Sequence, residues 1–136
     1  MTDAVRYTLL PEGSSDRALL SILEWAVSRC VRAPAVIVGD WVDTDRLPWG
    51  RISEPRDRLR SAVEVYPCEI LFIHRDADGD RWEARRAEID DWLDKAQLGG
   101  AISPVPIIPI RKSEACCSLT KRRFAGPPAI RTVRCH

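Results

Sequence analysis

Metal-binding sulfur and imidazole are scarce in this 136-residue chain. Its five cysteines are odd in number with no CxxC pair, and there are only two histidines. That pattern argues against a disulfide scaffold and against a thiolate–imidazole zinc site, and it points to a reduced, cytoplasmic protein. No apolar run approaches the ~20 residues that span a bilayer, and no signal-peptide core opens the chain. No membrane association is therefore expected. The length is enough for one domain with a real core, and small for a complete α/β enzyme.

Acid is missing from one region only. Residues 116–136 contain Lys121, Arg122, Arg123, Arg131 and Arg134 but no Asp or Glu, whereas all 20 acids lie in residues 1–115. Cys116, Cys117 and Cys135 also fall in this tail. The chain thus divides into a body, 1–115, of ordinary globular composition and an irregular basic tail, 116–136.

Within the body, strand and helix patterns alternate. Val5 to Leu10 reads as a strand stopped by Pro11, and Glu12-Gly13-Ser14-Ser15-Asp16 reads as a turn with two candidate N-caps and a first-turn acid. A helix to about Arg32 follows, with Leu19, Leu20, Ile22, Leu23, Ala26 and Val27 inward and Pro34 ending it. Ala35 to Val38 is a second strand, closed by Gly39-Asp40. Residues 40–54 have no clear period. Pro55 opens a second helix that buries Leu59, Ala62, Val63 and Tyr66. Pro67 stops it before a third strand, Ile70 to Ile73, apolar enough to be buried on both faces. A third helix, about Asp80 to Gln97, turns Trp82, Ile89, Trp92, Leu93 and Ala96 inward, and Gly99-Gly100 terminates it. Val105 to Ile110 is a fourth strand, and its prolines place it at an edge. The expected fold is α/β, three layers around a mainly parallel sheet of about four strands. Cys30 and Cys68 read as small core residues, and Trp41 and Trp49 as the tryptophans most open to solvent or a partner.

Ligands in such folds collect at the carboxyl ends of the strands. Acids stand there after three strands: Glu12, then Asp76 and Asp78, then Glu114. Carboxylates crowded beside a buried strand repel one another and lose hydration, and a divalent cation relieves both costs. Mg²⁺ or Mn²⁺ is the expected cofactor, with Asp80 a further candidate ligand. Arg75, Arg111 and Lys112 lie close enough in sequence to hold phosphate charge. His74 could act as a base, but a lone histidine ending a buried strand is more often structural.

These residues resemble a Toprim domain, the metal-binding fold of topoisomerases, primases and overcoming-lysogenization-defect nucleases. Glu12-Gly13 after the first strand and Asp76-Ala77-Asp78 after a later one match that pattern. A group of small bacterial Toprim-like proteins is closer, with a pattern similar to Glu-Gly-x-Ser-Asp, His-Arg-Asp-Ala-acid and Arg-x-x-Glu-Ala-Trp-Leu-Leu. Glu12 to Asp16, His74 to Asp78, and Arg111, Glu114 and Ala115 follow it. The resemblance covers residues 5–115. It implies Mg²⁺-dependent cleavage of nucleic-acid phosphodiesters through Glu12, Asp76 and Asp78, and by analogy an ATPase partner protein.

The match stops where Trp-Leu-Leu would continue and Cys116-Cys117-Ser118 stand instead. One added base in a permissible codon set for this tail restores Trp-Leu-Leu and a following amphipathic helix with a glycine and proline stop. The hypothesis is that residues 116–136 are out of frame and that the chain is a truncated, inactive member. Resequencing the gene and finding no such alternative frame would sink that idea. Two other readings compete. One is a non-catalytic protein-interaction module or a remnant of a defence-type system. The other is phosphotransfer like that of haloacid dehalogenases, weakened because Asp76-Ala77-Asp78-Gly79-Asp80 follows the third strand and has Asp80 where threonine is usual. A calcium EF-hand is ruled out, since Arg81 and Ala87 occupy the positions that need glycine and glutamate.

Overall fold

The computed structural model describes residues 3–31, 34–43, 54–79 and 81–109. Four strands, β1 (Asp3–Leu10), β2 (Ala35–Trp41), β3 (Ile70–His74) and β4 (Ser103–Ile107), alternate with helices α1 (Leu19–Cys30), α2 (Pro55–Val65) and α3 (Trp82–Ala96). All neighbouring strands are parallel, in the order β2-β1-β3-β4. The α/β, three-layer architecture expected from the alternation is therefore the architecture of this protein.

Side-chain alternation along the strands divides the core. Tyr7, Leu9 and Phe72 pack with Leu23 and Val27 of α1 on one face. Leu10, Leu71 and Ile73 pack with Leu59, Ala62, Ile89 and Ala96 of α2 and α3 on the other. Strand order reverses direction between β1 and β3, and right-handed crossovers then send the helices to opposite faces. The carboxyl ends of β1 and β3 become the edges of a crevice.

Several local expectations need correction. β2 does not close at Gly39-Asp40 but continues to Trp41. Gly39 sits opposite Tyr7 in the ladder, and its missing Cβ makes room for the buried tyrosine ring. The first helix is preceded by a 3-10 turn, Ser14–Ala18, and ends at Cys30. Among the described residues α1 alone covers its face of the sheet and buries a narrow stripe, and Ile22 and Cys30 are exposed rather than inward. Trp82 opens α3 and is exposed too, as is Trp25, whereas Trp41 is half-buried against the α1-side core. Trp49 lies outside the described residues. Gln97, with φ of 49°, is the left-handed residue that ends α3, ahead of Gly99. Arg60 of α2 donates to the last α3 carbonyls, Ala96 O at 2.8 Å and Lys95 O at 3.2 Å. β4 is an edge strand, as its prolines imply, and Cys68 packs against the core. No helix among the described residues is long and apolar enough to cross a membrane.

Tyr7 ties β1, β2 and α1 together. Its hydroxyl donates to Leu20 O at 3.1 Å, and its ring meets Phe72 edge-on at 5.7 Å. Burial pushes its phenol above the ordinary 10.0, and the Glu24 and Asp40 carboxylates add to that. A methyl at Gly39 would overlap the ring, with Tyr7 Cε1 only 2.8 Å from it. Gly39→Ala is expected to cost about 3 kcal/mol in urea unfolding, the overpacking scale, and under about 1 kcal/mol in a Tyr7→Leu background. Equal costs in the two backgrounds would show that the ring is not the obstacle.

Candidate metal centre

The loop after β1 is folded around one carboxylate. Asp16, 3% exposed, accepts from the backbone N–H of Glu12 at 2.8 Å and of Gly13 at 3.1 Å. These bonds hold Glu12 at the mouth of the crevice. Asp16 is thus the brace of the turn rather than an ordinary first-turn acid.

β3 supplies the other half. His74 continues the Ile70–Phe72 side of the strand toward α1 and is fully buried, with Nδ1 2.6 Å from Asp16 Oδ2. Neither ring nitrogen has a hydrogen-bond partner among the described residues. A carboxylate against Nδ1 favours the neutral tautomer with its proton on that nitrogen and its lone pair on Nε2. Nε2 lies 3.6 Å from Asp76 Oδ1. That oxygen is also buried without a hydrogen-bond partner. Two lone pairs facing each other away from water are unfavourable, and a cation between them removes the conflict.

Glu12 completes the group. Ligand atoms of Glu12, His74 and Asp76 all lie within 4.8 Å of one another, close enough to hold a metal ion. Two ligands on one ion with bonds near 2.1 Å can be about 4.2 Å apart at most. Binding therefore needs only a small contraction. Glu12 Oε1 accepts from Arg75 Nη1 at 2.9 Å and Oε2 from the Asp76 N–H at 2.5 Å. Each carboxylate oxygen retains a second lone pair, so these contacts orient the ligand without using it up. Arg75 is itself fixed by Glu88, at 3.4 Å, and by the Trp92 ring, 5.7 Å from its guanidinium carbon. Arg85 donates to Glu88 Oε2 at 3.1 Å, the oxygen that also accepts from Arg75 Nε.

Of the residues expected from sequence, Glu12, Asp76 and Arg75 come together. Asp78 does not join them: it stands on an exposed turn with φ of 49°, followed by Gly79 at 82°. His74 takes its place in the group. Asp80, Arg111, Lys112 and Glu114 lie outside the described residues. Asp16 was readable as a turn acid and as the end of the Glu-Gly-x-Ser-Asp pattern but not as a partner of His74, which is 58 positions away. The signal available was alternation, which puts His74 on the Phe72 side where the Asp16 turn begins.

No protein-family model matches the chain, and no curated protein or solved structure matches it. The Toprim resemblance therefore rests on the motifs themselves.

Proposed function

We propose that this chain is a Toprim-like, divalent-metal-dependent phosphodiesterase acting on nucleic acid, and that Mn²⁺ serves it better than Mg²⁺. The observation that carries the reading is the convergence of Glu12 and Asp76, from the ends of adjacent parallel strands, on a buried histidine nitrogen with no hydrogen-bond partner among the described residues. Mg²⁺ prefers an all-oxygen shell, whereas an imidazole ligand suits Mn²⁺ and the later transition metals. The metal would polarise a phosphoryl oxygen. Arg75, braced by Glu88 and Trp92, offers a guanidinium beside Glu12 for the phosphate's negative charge. Asp16 holds the His74 ring and the Glu12 turn from behind, as outer partners of metal ligands do.

The test is cleavage of end-labelled single-stranded and duplex DNA and RNA by the full chain with Mn²⁺ or Mg²⁺. Glu12→Gln is expected to lower the rate by roughly a hundredfold or more, since loss of an outer-shell partner alone reaches that scale. Activity that survives chelation, or that Glu12→Gln leaves unchanged, refutes the proposal.

A further inference from the structure

One guanidinium stands between two carboxylates at the edge of the candidate metal centre. Arg75 Nη1 donates to Glu12 Oε1 at 2.9 Å, while Nε and Nη2, its other edge, are aimed at the two oxygens of Glu88, each at 3.4 Å. Charge-assisted bonds of this type settle at about 2.7–2.9 Å. Glu12 therefore holds Arg75 closely and Glu88 holds it loosely. Arg85 draws on the same Glu88 oxygen that Arg75 Nε reaches, at 3.1 Å, which divides the pull of Glu88 between two arginines.

The hold on Arg75 comes from one face of α3. Arg85, Glu88 and Trp92 follow one another at spacings of three and four, which sets them on the same side of that helix. Trp92 backs the guanidinium at 5.7 Å. Arg85, Glu88, Arg75 and Glu12 thus alternate in charge along one line of contacts. Their side chains are between 17% and 33% exposed, so solvent screens these contacts less than it screens surface pairs. No residue of α3 belongs to the Glu12, His74 and Asp76 group, yet the line ends on one of its members.

Competition for Arg75 follows from this geometry. Glu12 must turn oxygen lone pairs toward an ion, and its Oε2 already accepts from the Asp76 N–H. A guanidinium released by Glu88 can offer Glu12 two parallel N–H groups, the strongest arrangement for such a pair. A carboxylate engaged in that way gives up less charge to a metal. Resting on the metal-site reading, we propose that Glu88 is a positioning residue of the centre: from α3 it holds back one edge of Arg75 and so keeps Glu12 available to the divalent cation. Metal affinity is then set partly by a helix that supplies no ligand to the group.

Calorimetric titration of the full chain with Mn²⁺ tests this on two variants that separate position from charge. Glu88→Gln keeps the length of the side chain and loses its charge, whereas Glu88→Asp keeps the charge and falls short by one methylene. Both are expected to weaken Mn²⁺ binding about tenfold, the lower end of the loss when an outer partner of a metal ligand is removed. In an Arg75→Gln background the same two changes should shift the affinity by less than about twofold, since no guanidinium is left to release. A field effect of the Glu88 charge would instead spare Glu88→Asp and persist without Arg75, and either result overturns the proposal. Should Arg75→Gln itself abolish Mn²⁺ binding, the comparison of Glu88→Gln with Glu88→Asp decides alone. Affinities of both variants within about twofold of the parent overturn the proposal and leave the metal site standing without help from α3. Absence of saturable Mn²⁺ binding by the parent overturns the metal reading, and this proposal with it.

Discussion

Mn²⁺ at about a hundredfold excess over its dissociation constant is expected to stabilise the protein by roughly 2.7 kcal/mol, which raises the melting temperature by roughly 10 °C for a domain of this size. Asp76→Asn should remove most of that gain and, without metal, melt higher than the parent. The reason is the contact between His74 Nε2 and Asp76 Oδ1, two buried acceptors 3.6 Å apart. An asparagine amide at this position can turn its N–H₂ toward Nε2 and supply the missing donor, worth about 0.5–1.5 kcal/mol. The same change weakens a metal ligand. Opposite signs with and without metal are thus the signature of the site, and thermal melts of the two proteins at matched Mn²⁺ read it directly. Asp78→Asn serves as the comparator and should keep the Mn²⁺ response, since Asp78 lies on an exposed turn outside the group. If the metal-free Asp76→Asn protein melts lower than the parent and neither responds to Mn²⁺, the Nε2–Oδ1 contact stabilises the fold as it stands, without a metal. The metal reading then falls.

The second large effect belongs to Asp16. Truncation by Asp16→Ala strips acceptors from two backbone N–H groups and removes the carboxylate against a fully buried imidazole. Each buried group left unsatisfied costs about 1–3 kcal/mol, partly recovered where water can enter. A loss of about 3 kcal/mol in denaturant unfolding is expected, a large fraction of the ~5–15 kcal/mol that holds a domain together. Asp16→Asn keeps one acceptor oxygen for the loop and should lose about half as much. The Mn²⁺ response should shrink in both, because Glu12 is no longer held at the crevice and His74 loses the partner that orients it. A stability within about 0.5 kcal/mol of the parent for Asp16→Ala, the range of an ordinary surface change, would show that the turn does not depend on this carboxylate.

These two residues also mark where reading along the chain succeeded and where it could not. Glu12 and Asp76 were legible because each follows an apolar strand, and a parallel fold carries strand ends to one edge. Asp78 was drawn into the same group by its place after the third strand and by the Asp-x-Asp pattern of the Toprim resemblance. The turn at Asp78-Gly79 takes positive φ at both positions, and the carboxylate leaves the strand direction before it can join Glu12. Cys30 follows a similar logic: apolar neighbours in sequence suggested a core residue, but it ends a helix whose buried stripe is narrow.

By itself the sequence determined the order of elements, the parallel sheet, the edge position of the proline-bearing fourth strand, and the two acids at the ends of the first and third strands. Those features come from local chemistry: β-branched runs, helical spacing of apolar residues, and prolines that stop or start segments. Only the tertiary structure decided that β1 and β3 are neighbours, that His74 rather than Asp78 meets Glu12 and Asp76, and that Asp16 and Arg75 hold them. The pairings that join the two strand ends, Glu12 with His74, Arg75 and Asp76, and Asp16 with His74, span about sixty positions. Their contact depends on the order in which the strands dock and on which face each side chain takes, and local propensity carries neither.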